Sequence, residues 1–276
     1  RGAFEAGVKS GNHRIRGGLS QLLEFGSDLD YHKPKLTLYY QFHQKRKTFF
    51  FGAFPRRAKI HFPLAMLTDT LLYYRPNIEG LLGEIKWEWG RQKGFVDWVS
   101  RQTDLNRENF MAGFSGKIFH ENLFIENFLL LFHDAGPAID IPGDHIKDYL
   151  GYAIRAGIET GEKAPFTGVV KAGILNSSFR ERSVTDGFES QTGFFMEATG
   201  RYNNYGLKSV LSAGASHRFA YGDRFYRAEN YWRTDVIWYF INHKRVSGRF
   251  NLSFHLIDWS DLDQQQQLSI VYVFGK

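Results

Sequence analysis

The sequence contains no cysteine among its 276 residues. Disulfides, thiolate nucleophiles and cysteine-ligated metal sites are therefore excluded together, although this absence does not fix the cellular compartment. The glycine-rich phosphate loop and the HExxH zinc motif are also missing from the sequence. We therefore expect no cofactor and no bound metal ion.

Long hydrophobic runs are absent as well. The longest uninterrupted apolar block is residues 128–132, whereas a membrane-spanning helix needs about 18 such residues. A helical membrane protein is thus excluded. The sequence opens at Arg1 without a methionine or an apolar leader. Any export signal has therefore been removed or was never present. Either an N-terminal strand upstream of Arg1 is missing, so that the domain lacks an N-terminal portion, or residues 1–13 do not form a separate strand.

The excess of positive over negative charge is small. The formal net charge is +6, and the basic residues are scattered along the chain instead of forming a run. Nucleic acid is therefore not an expected partner. The mean hydropathy of -0.37 is low for a membrane protein. A β-barrel explains it, because the aqueous face of a barrel allows half of each strand to be polar.

Residues 246–256 alternate strictly between two kinds of side chain. The even positions are apolar or small, and the odd positions are polar and include Arg249 and His255. Successive side chains of a strand point to opposite faces, so one face requires an apolar environment and the other requires water. A tilted strand needs about 9 to 11 residues to cross a bilayer. This segment therefore predicts one strand of a transmembrane β-barrel.

The same criteria predict fifteen strands and no amphipathic helix. Strands without long crossovers form an antiparallel meander, and closed bacterial barrels have even strand numbers. We predict an all-β, antiparallel up-and-down transmembrane β-barrel of about 14 to 16 strands, with residues 1–276 as a single domain. The predicted strands are residues 3–9, 14–26, 35–43, 47–54, 76–90, 93–101, 108–120, 122–133, 148–160, 165–177, 188–202, 205–219, 232–243, 246–258 and 268–275.

The connections alternate between short turns and longer loops. Outer-membrane barrels place short turns on the periplasmic side and longer loops outside. We therefore expect the outer membrane of a Gram-negative bacterium, with membrane lipid and lipopolysaccharide as partners. The longer loops are predicted at residues 27–34, 55–75, 102–107, 134–147, 178–187, 220–231 and 259–267.

The inward side chains of the predicted strands form a mildly cationic lumen. Such a lining indicates an aqueous path with some preference for anions. The alternative is a set of cross-strand ion pairs that fills the interior and holds the wall together. The predicted lumen-lining residues are Glu84, Lys86, Glu88, Lys117, Arg155, Glu159, Lys171, Glu197, Arg201, Lys208, Arg249 and His255.

Two long loops carry apolar and aromatic residues. Residues 55–75 contain a hydrophobic string, and a loop of this length in a compact domain is usually functional. It is either a plug folded into the barrel or an external lid. Residues 220–232 mix aromatic rings with charged groups, which suits sugar stacking or protein contact. The alternative is packing between neighbouring loops.

Signals for catalysis are weak. His255, Asp258 and Ser260 lie close in sequence, and a histidine with a serine can form an acyl-transfer site. However, His255 and Asp258 have opposite strand parity, and no glycine-rich oxyanion turn adjoins the serine. Four aspartates and a histidine also cluster around one loop, which could hold calcium or could be a solvated acidic loop. Their spacing matches no EF-hand pattern. These residues are Asp134, Asp140, Asp144, His145 and Asp148.

The closing segment QLSIVYVFGK has Leu268, Ile270, Tyr272 and Phe274 in one phase, and it resembles the C-terminal signal of outer-membrane barrels. It departs from that signal in the two residues after the last aromatic. Four further stretches resemble porin-like barrels of Bacteroidetes that have no assigned activity. The stretches are FGAFPRR at residues 51–57, YYRPNIEG at 73–80, DWVSRQT at 97–103 and GDRFYRAENYWRTD at 222–235. This resemblance implies a fold and a membrane, not a substrate.

These observations predict a porin-like channel for small hydrophilic solutes. The alternative is a non-conducting barrel that acts as a subunit of a larger outer-membrane protein complex, with partner proteins on its aromatic loops. An enzyme is not expected.

Overall fold

The computed structural model describes residues 2–22, 34–104, 106–139, 141–160 and 166–273. Most of these residues belong to fifteen β-strands. The strands are β1 (Gly2–Ser10), β2 (His13–Gln21), β3 (Lys35–Gln44), β4 (Lys47–Pro55), β5 (Asn77–Trp87), β6 (Gly90–Ser100), β7 (Asn109–His120), β8 (Leu123–Asp134), β9 (Lys147–Glu159), β10 (Phe166–Glu181), β11 (Glu189–Tyr202), β12 (Tyr205–Ala213), β13 (Asn230–Asn242), β14 (Val246–Ile257) and β15 (Asp261–Tyr272).

Helical structure in the described residues is limited to one α-helical turn, α1 (Leu71–Tyr74), and one 3-10 turn, Arg224–Arg227. No helix in this part of the chain has the length and apolar character needed to cross a membrane.

All fifteen strands form one antiparallel sheet in which each strand pairs with its neighbours in sequence. This confirms the predicted all-β, up-and-down architecture of about 14 to 16 strands. Tight turns make this order favourable, because antiparallel strands need only two residues between them. Lys45, Glu121 and Asn203 occupy such turns with positive φ angles of 39°, 52° and 51°. Within the described residues, β1 pairs only with β2 and β15 only with β14.

The sheet has two chemically different faces. On β7, Phe114 and Ile118 are exposed, whereas Met111 is buried on the opposite side. We call the side with the exposed apolar residues the outer face and the other side the inner face. The two faces follow from the period of two along each strand. Buried inner-face residues from β3 to β13 belong to one hydrophobic cluster, so the sheet curls around a common interior.

Two predicted boundaries differ most from the structure. The glutamine run at residues 264–267 was expected in a loop, but it lies inside β15 and pairs with residues 251–254 of β14. Backbone hydrogen bonds form this strand whatever the side chains are, so a polar run does not exclude it. Strand β12 ends at Ala213, six residues before the predicted end. Gly214 follows it with a φ of 83°, which breaks the extended chain.

The connections lie at two ends of the sheet. One end, the short-turn rim, carries the turns after β1, β3, β5, β7, β11 and β13. The other end, the long-loop rim, carries the connections after β4, β6, β8, β10 and β12. The connection after β14 is also at this rim but is only residues 258–260. The predicted loop at 27–34 lies outside the described residues except for its last position.

The interior next to the long-loop rim is filled by two loops. Residues 56–76, which we call the plug loop, place Ile60, Met66 and Leu71 in the hydrophobic core. Residues 214–229, which we call the second loop, add Phe219 and Tyr226. The two loops are joined by hydrogen bonds, from Thr68 N to Tyr221 O at 2.7 Å and from Asp223 N to Leu64 O at 2.9 Å. The first loop is thus a plug, and the second packs against it.

Candidate functional site

Predicted lumen residues form a cross-strand ionic cluster on the inner face. Arg155 on β9 donates to Glu126 on β8 at 2.9 Å. Lys171 on β10 lies 3.3 Å from Glu197 on β11 and 3.4 Å from Glu126. Lys208 on β12 approaches Glu197 at 3.9 Å. Glu126 was not among the predicted residues, because the two faces of residues 123–133 are both apolar and their phase was ambiguous.

Other predicted lumen residues also have partners. Lys117 contacts Glu159 at 2.6 Å, and Glu84 lies between Lys86 and Lys93, each at 3.4 Å. These contacts correspond to the alternative to an aqueous path, in which cross-strand ion pairs fill the interior.

The remaining predicted lumen residues lie apart from these pairs. Glu88 pairs with Arg46 at 2.6 Å beside the short-turn rim, where both side chains are exposed. Arg201 lies over the Tyr239 ring at 4.0 Å, and Arg249 is exposed. His255 is buried close to the long-loop rim. Their role as the lining of a solute path stays a prediction.

The plug makes the channel interpretation unfavourable. Phe62 of the plug loop packs against Phe95 and Phe128 of the wall, with ring centroids 5.9 Å and 5.6 Å apart. Tyr226 of the second loop packs against Phe195 at 6.0 Å. An apolar, densely packed region offers no water-filled route for a hydrophilic solute. A porin-like function is therefore not supported.

The predicted His255, Asp258 and Ser260 group is not brought together. His255 Nδ1 lies 2.7 Å from the hydroxyl of Tyr231, and its ring stacks on Phe225 at 4.3 Å. The Asp258 carboxylate accepts from the backbone N–H of Asn230. Ser260 belongs to the turn after β14, where its N–H donates to Ile257 O. The His255 ring therefore serves packing, and Asp258 and Ser260 belong to the turn after β14.

The acidic loop is organised by an arginine. Arg107 Nε donates to Asp134 at 2.5 Å, and the same guanidinium contacts the Asp144 carboxylate. Arg107 also donates to the carbonyl of His145 at 2.8 Å. Asp140 lies outside the described residues. In the described ranges, no three histidine or acidic side chains converge as a metal site.

A serine and a histidine do meet in the interior. Ser177 on β10 and His217 in the second loop are both buried, with 3.2 Å between Oγ and Nδ1. His217 Nε2 has no partner in the described structure. Burial lowers the pKa of His217 to about 4. Both residues are almost completely buried, so this pair holds the loop and offers no access to a lipid ester.

The depressed pKa of His217 predicts a pH-dependent stability. The unfolded chain binds a proton near pH 6.5, but the folded protein does so only near pH 4. Stability is therefore greatest above pH 6.5 and is lost as the pH falls towards 4, by about 3 kcal/mol in total. We expect this slope in the free energy of unfolding measured between pH 7 and pH 4. In His217→Gln the slope should shrink, and an unchanged slope would contradict the assignment.

A second histidine lies on the outer face. His133 on β8 and Asp148 on β9 are paired in register, with 2.6 Å between Nδ1 and Oδ1. Arg182 donates to Asp148 Oδ2 from Nε at 2.8 Å and to Oδ1 from Nη2 at 3.3 Å. This hydrogen bond raises the pKa of Arg182. Because a carboxylate only accepts, Nδ1 donates its hydrogen to Asp148, and Nε2 is the ring nitrogen that remains for water or a substrate.

The position of this pair sets it apart from the interior groups. His133 has the same strand parity as Ile125 and Leu129, which are exposed on the outer face. Asp148 has the same parity as Tyr152 and Ile154, which are exposed on the same face. Both residues lie within two positions of the loop that joins β8 to β9. The pair therefore lies on the outer face at the long-loop rim.

Neighbouring side chains complete this surface. Phe110 on β7 packs beside the His133 ring at 5.1 Å, and Trp98 on β6 packs beside Phe110 at 6.1 Å. On the opposite side of the pair, Arg180 is the register partner of Asp148. Its Nε has no partner within the described residues. We call His133, Asp148 and Arg182, with these neighbours, the outer-face site.

Chemically, the outer-face site can activate water. A histidine whose Nδ1 hydrogen is held by a carboxylate can act as a general base through Nε2, and the arginine supplies positive charge beside it. Asp148 was predicted to belong to an acidic loop that holds calcium or is solvated, and His133 was not predicted as a site residue. The pairing of the two residues could have been predicted from the β8–β9 hairpin. Both lie equally far from the centre of its loop, and such residues come opposite each other in an antiparallel hairpin.

A comparison with family models gives a match over residues 8–275 to the lipid A 3'-O-deacylase-type family. No curated protein matches the sequence. The family is one of enzymes, so the prediction that the chain is not an enzyme is wrong. The likeness to a Bacteroidetes barrel group stays a prediction, whereas the fold and the family together fit an outer-membrane β-barrel. The match spans nearly the whole chain, and the chain belongs to the lipid A 3'-O-deacylase-type family.

Proposed function

We propose that this protein is an outer-membrane hydrolase that removes an ester-linked acyl chain from the 3' position of lipid A. The single observation that carries the proposal is the His133–Asp148 pair on the outer face at the long-loop rim. In a Gram-negative outer membrane the long-loop rim faces outside. The pair then lies at the level of the outer-leaflet headgroups, where the ester bonds of lipid A are found.

The base is His133, and Asp148 positions it. His133 Nε2 takes a proton from water as the water oxygen attacks the ester carbonyl carbon. Asp148 accepts the Nδ1 hydrogen, which fixes the ring and stabilises the imidazolium that forms. The proton then passes from Nε2 to the sugar oxygen as the carbon–oxygen bond breaks. The products are a free fatty acid and a sugar hydroxyl.

Negative charge develops on the carbonyl oxygen during this attack. Arg182 lies beside the pair, is about half exposed and already donates two hydrogen bonds to Asp148. A fixed cation close to a developing oxyanion lowers the barrier, particularly where lipid excludes water. In this proposal Arg182 therefore keeps Asp148 ionised and contributes to oxyanion stabilisation.

Substrate access follows from the location of the site. Lipid A diffuses in the outer leaflet and reaches the outer face directly. No route through the interior is needed, which agrees with a barrel filled by its plug. The interior Ser177–His217 pair has no comparable path to lipid, because both side chains are almost completely buried.

The test is a deacylation assay on the full chain reconstituted with lipopolysaccharide in detergent micelles. We expect mass spectrometry to detect lipid A that has lost one ester-linked acyl chain, together with the released fatty acid. Amide-linked chains should remain. Lipid A of unchanged mass would refute the proposal, and loss of an acyl chain from another position would refute the assigned position.

A further inference from the structure

We propose that Trp98 and Phe110 form a platform on which a sugar ring stacks, so that the site selects acylated saccharides over other acyl esters. This inference rests on the proposed function, because the platform adjoins the proposed catalytic pair. It adds a specificity determinant that is separate from the groups that transfer protons.

The register of three strands places the platform. Trp98 pairs with Phe110 between β6 and β7, and Phe110 pairs with His133 between β7 and β8. Adjacent strands lie about 4.8 Å apart, so the row from Trp98 to His133 is roughly 10 Å long. A pyranose ring that covers the two aromatic residues would hold its acyl substituent beside His133.

Trp98 is held in a defined orientation. Its Nε1–H donates to the Glu108 carboxylate at 3.0 Å, so the polar edge of the indole is already engaged. The residue is 51% exposed, which leaves an apolar face of the indole open. The β6–β7 register shifts between Trp98 and Ser100. Such irregularities often redirect a side chain next to a functional site.

Cations complete the match to a lipid A headgroup. Arg182 and Arg180 lie on the far side of His133 from the platform, one strand beyond Asp148. A phosphorylated, acylated sugar presents an apolar ring face and negative charge at different ends. The row of aromatic, imidazole and guanidinium groups matches that order across β6 to β10.

An ordinary membrane-interface role is the competing explanation, because tryptophan collects at the headgroup level of barrels. The chain provides a matched control at the same rim. Trp232 on β13 is 45% exposed on the outer face, and its Nε1–H donates to the Ser209 hydroxyl at 2.8 Å. It lies five strands from β8, so it shares the membrane environment of Trp98 but not its neighbours.

The experiment compares Trp98→Ala, Trp98→Tyr and Trp232→Ala by two measurements. The first is hydrolysis of lipid A and of the methyl ester of a long-chain 3-hydroxy acid, which lacks a sugar. We expect Trp98→Ala to lower kcat/KM for lipid A by about five- to tenfold, mainly through KM, since one aromatic contact is lost. Hydrolysis of the methyl ester should not change. Trp98→Tyr should restore most of the activity on lipid A, and Trp232→Ala should resemble the unmodified protein.

The second measurement is binding to vesicles with and without lipid A, in a His133→Ala background that removes the proposed base. We expect Trp98→Ala to weaken the lipid A-dependent part of binding by a similar factor. Equal losses for Trp98→Ala and Trp232→Ala, or equal losses on both ester substrates, would overturn the platform. If the protein hydrolyses nothing but its binding depends on Trp98, the proposed function fails and the platform stands.

Discussion

Replacement of His133 by alanine is expected to reduce lipid A deacylation by on the order of a thousandfold. The variant removes the only group in the outer-face site that is placed to take a proton from water, while Asp148 and Arg182 remain paired. Binding should change little, since the proposed sugar platform of Trp98 and Phe110 and the cations Arg180 and Arg182 remain in place. The measurement is the rate of fatty acid release at saturating lipid A. Retention of more than about a tenth of the activity would contradict the assignment.

Two further variants separate chemistry from folding. Asp148→Asn should lower the rate by at least about a hundredfold, because an amide neither fixes the Nδ1 hydrogen nor stabilises the imidazolium. The control is His13→Ala at the short-turn rim. His13 has a polar partner as well, the Tyr40 hydroxyl at 2.7 Å, but it lies at the opposite end of the strands. This control should retain full activity, and all three proteins should show the same sheet content.

The second large effect is expected at the base of the plug. Arg56 and Asp97 form a fully buried ion pair, with 1% and 2% exposure. Arg56 also donates to the carbonyls of Arg75 and Asn77, and Asp97 accepts from Glu79 N at 2.8 Å. We expect Arg56→Met to lower the free energy of unfolding by about 3 to 5 kcal/mol, because it leaves a buried carboxylate without a counter-charge.

The measurement is a urea titration of the reconstituted protein, with planar-bilayer conductance as a second readout of plug release. The double variant Arg56→Met with Asp97→Asn should recover part of the loss, since no buried charge remains. Arg46→Met is the matched control, because the Arg46–Glu88 pair has 60% and 84% exposed side chains. It should cost less than about 1 kcal/mol. Equal effects of Arg56→Met and Arg46→Met would show that the buried pair does not anchor the plug.

The strands of the sheet could be predicted from the sequence because the alternation that marks them is a property of neighbouring residues. In residues 246–256 the polarity of each side chain indicates which face of the sheet it lies on. The period of two therefore predicts both the strand and its orientation from this segment alone. Polar edge strands carry no such signal. The glutamine run of β15 was therefore misplaced, because its structure comes from pairing with β14 and not from its own composition.

The interior was only partly accessible. The hydrophobic string in residues 55–75 indicated burial, but a loop can bury such a string inside a barrel or against a partner. Contacts with residues far away in the sequence, such as the contact of Phe62 with Phe128, place the string in the interior. The ion pairs were foreseen as one of two alternatives. Glu126, which joins Arg155 and Lys171, was missed because its neighbours are apolar on both faces.

By itself, the sequence determined an all-β, antiparallel, up-and-down architecture, since alternating side chains and regularly spaced turns are properties of neighbouring residues. Only the tertiary structure decided where chemistry can occur. His133 and Asp148 are fifteen positions apart, and the register of β8 against β9 alone brings Nδ1 and Oδ1 within hydrogen-bond distance. A shift of one residue would turn one of the two side chains to the opposite face, because side-chain direction along a strand repeats every second residue.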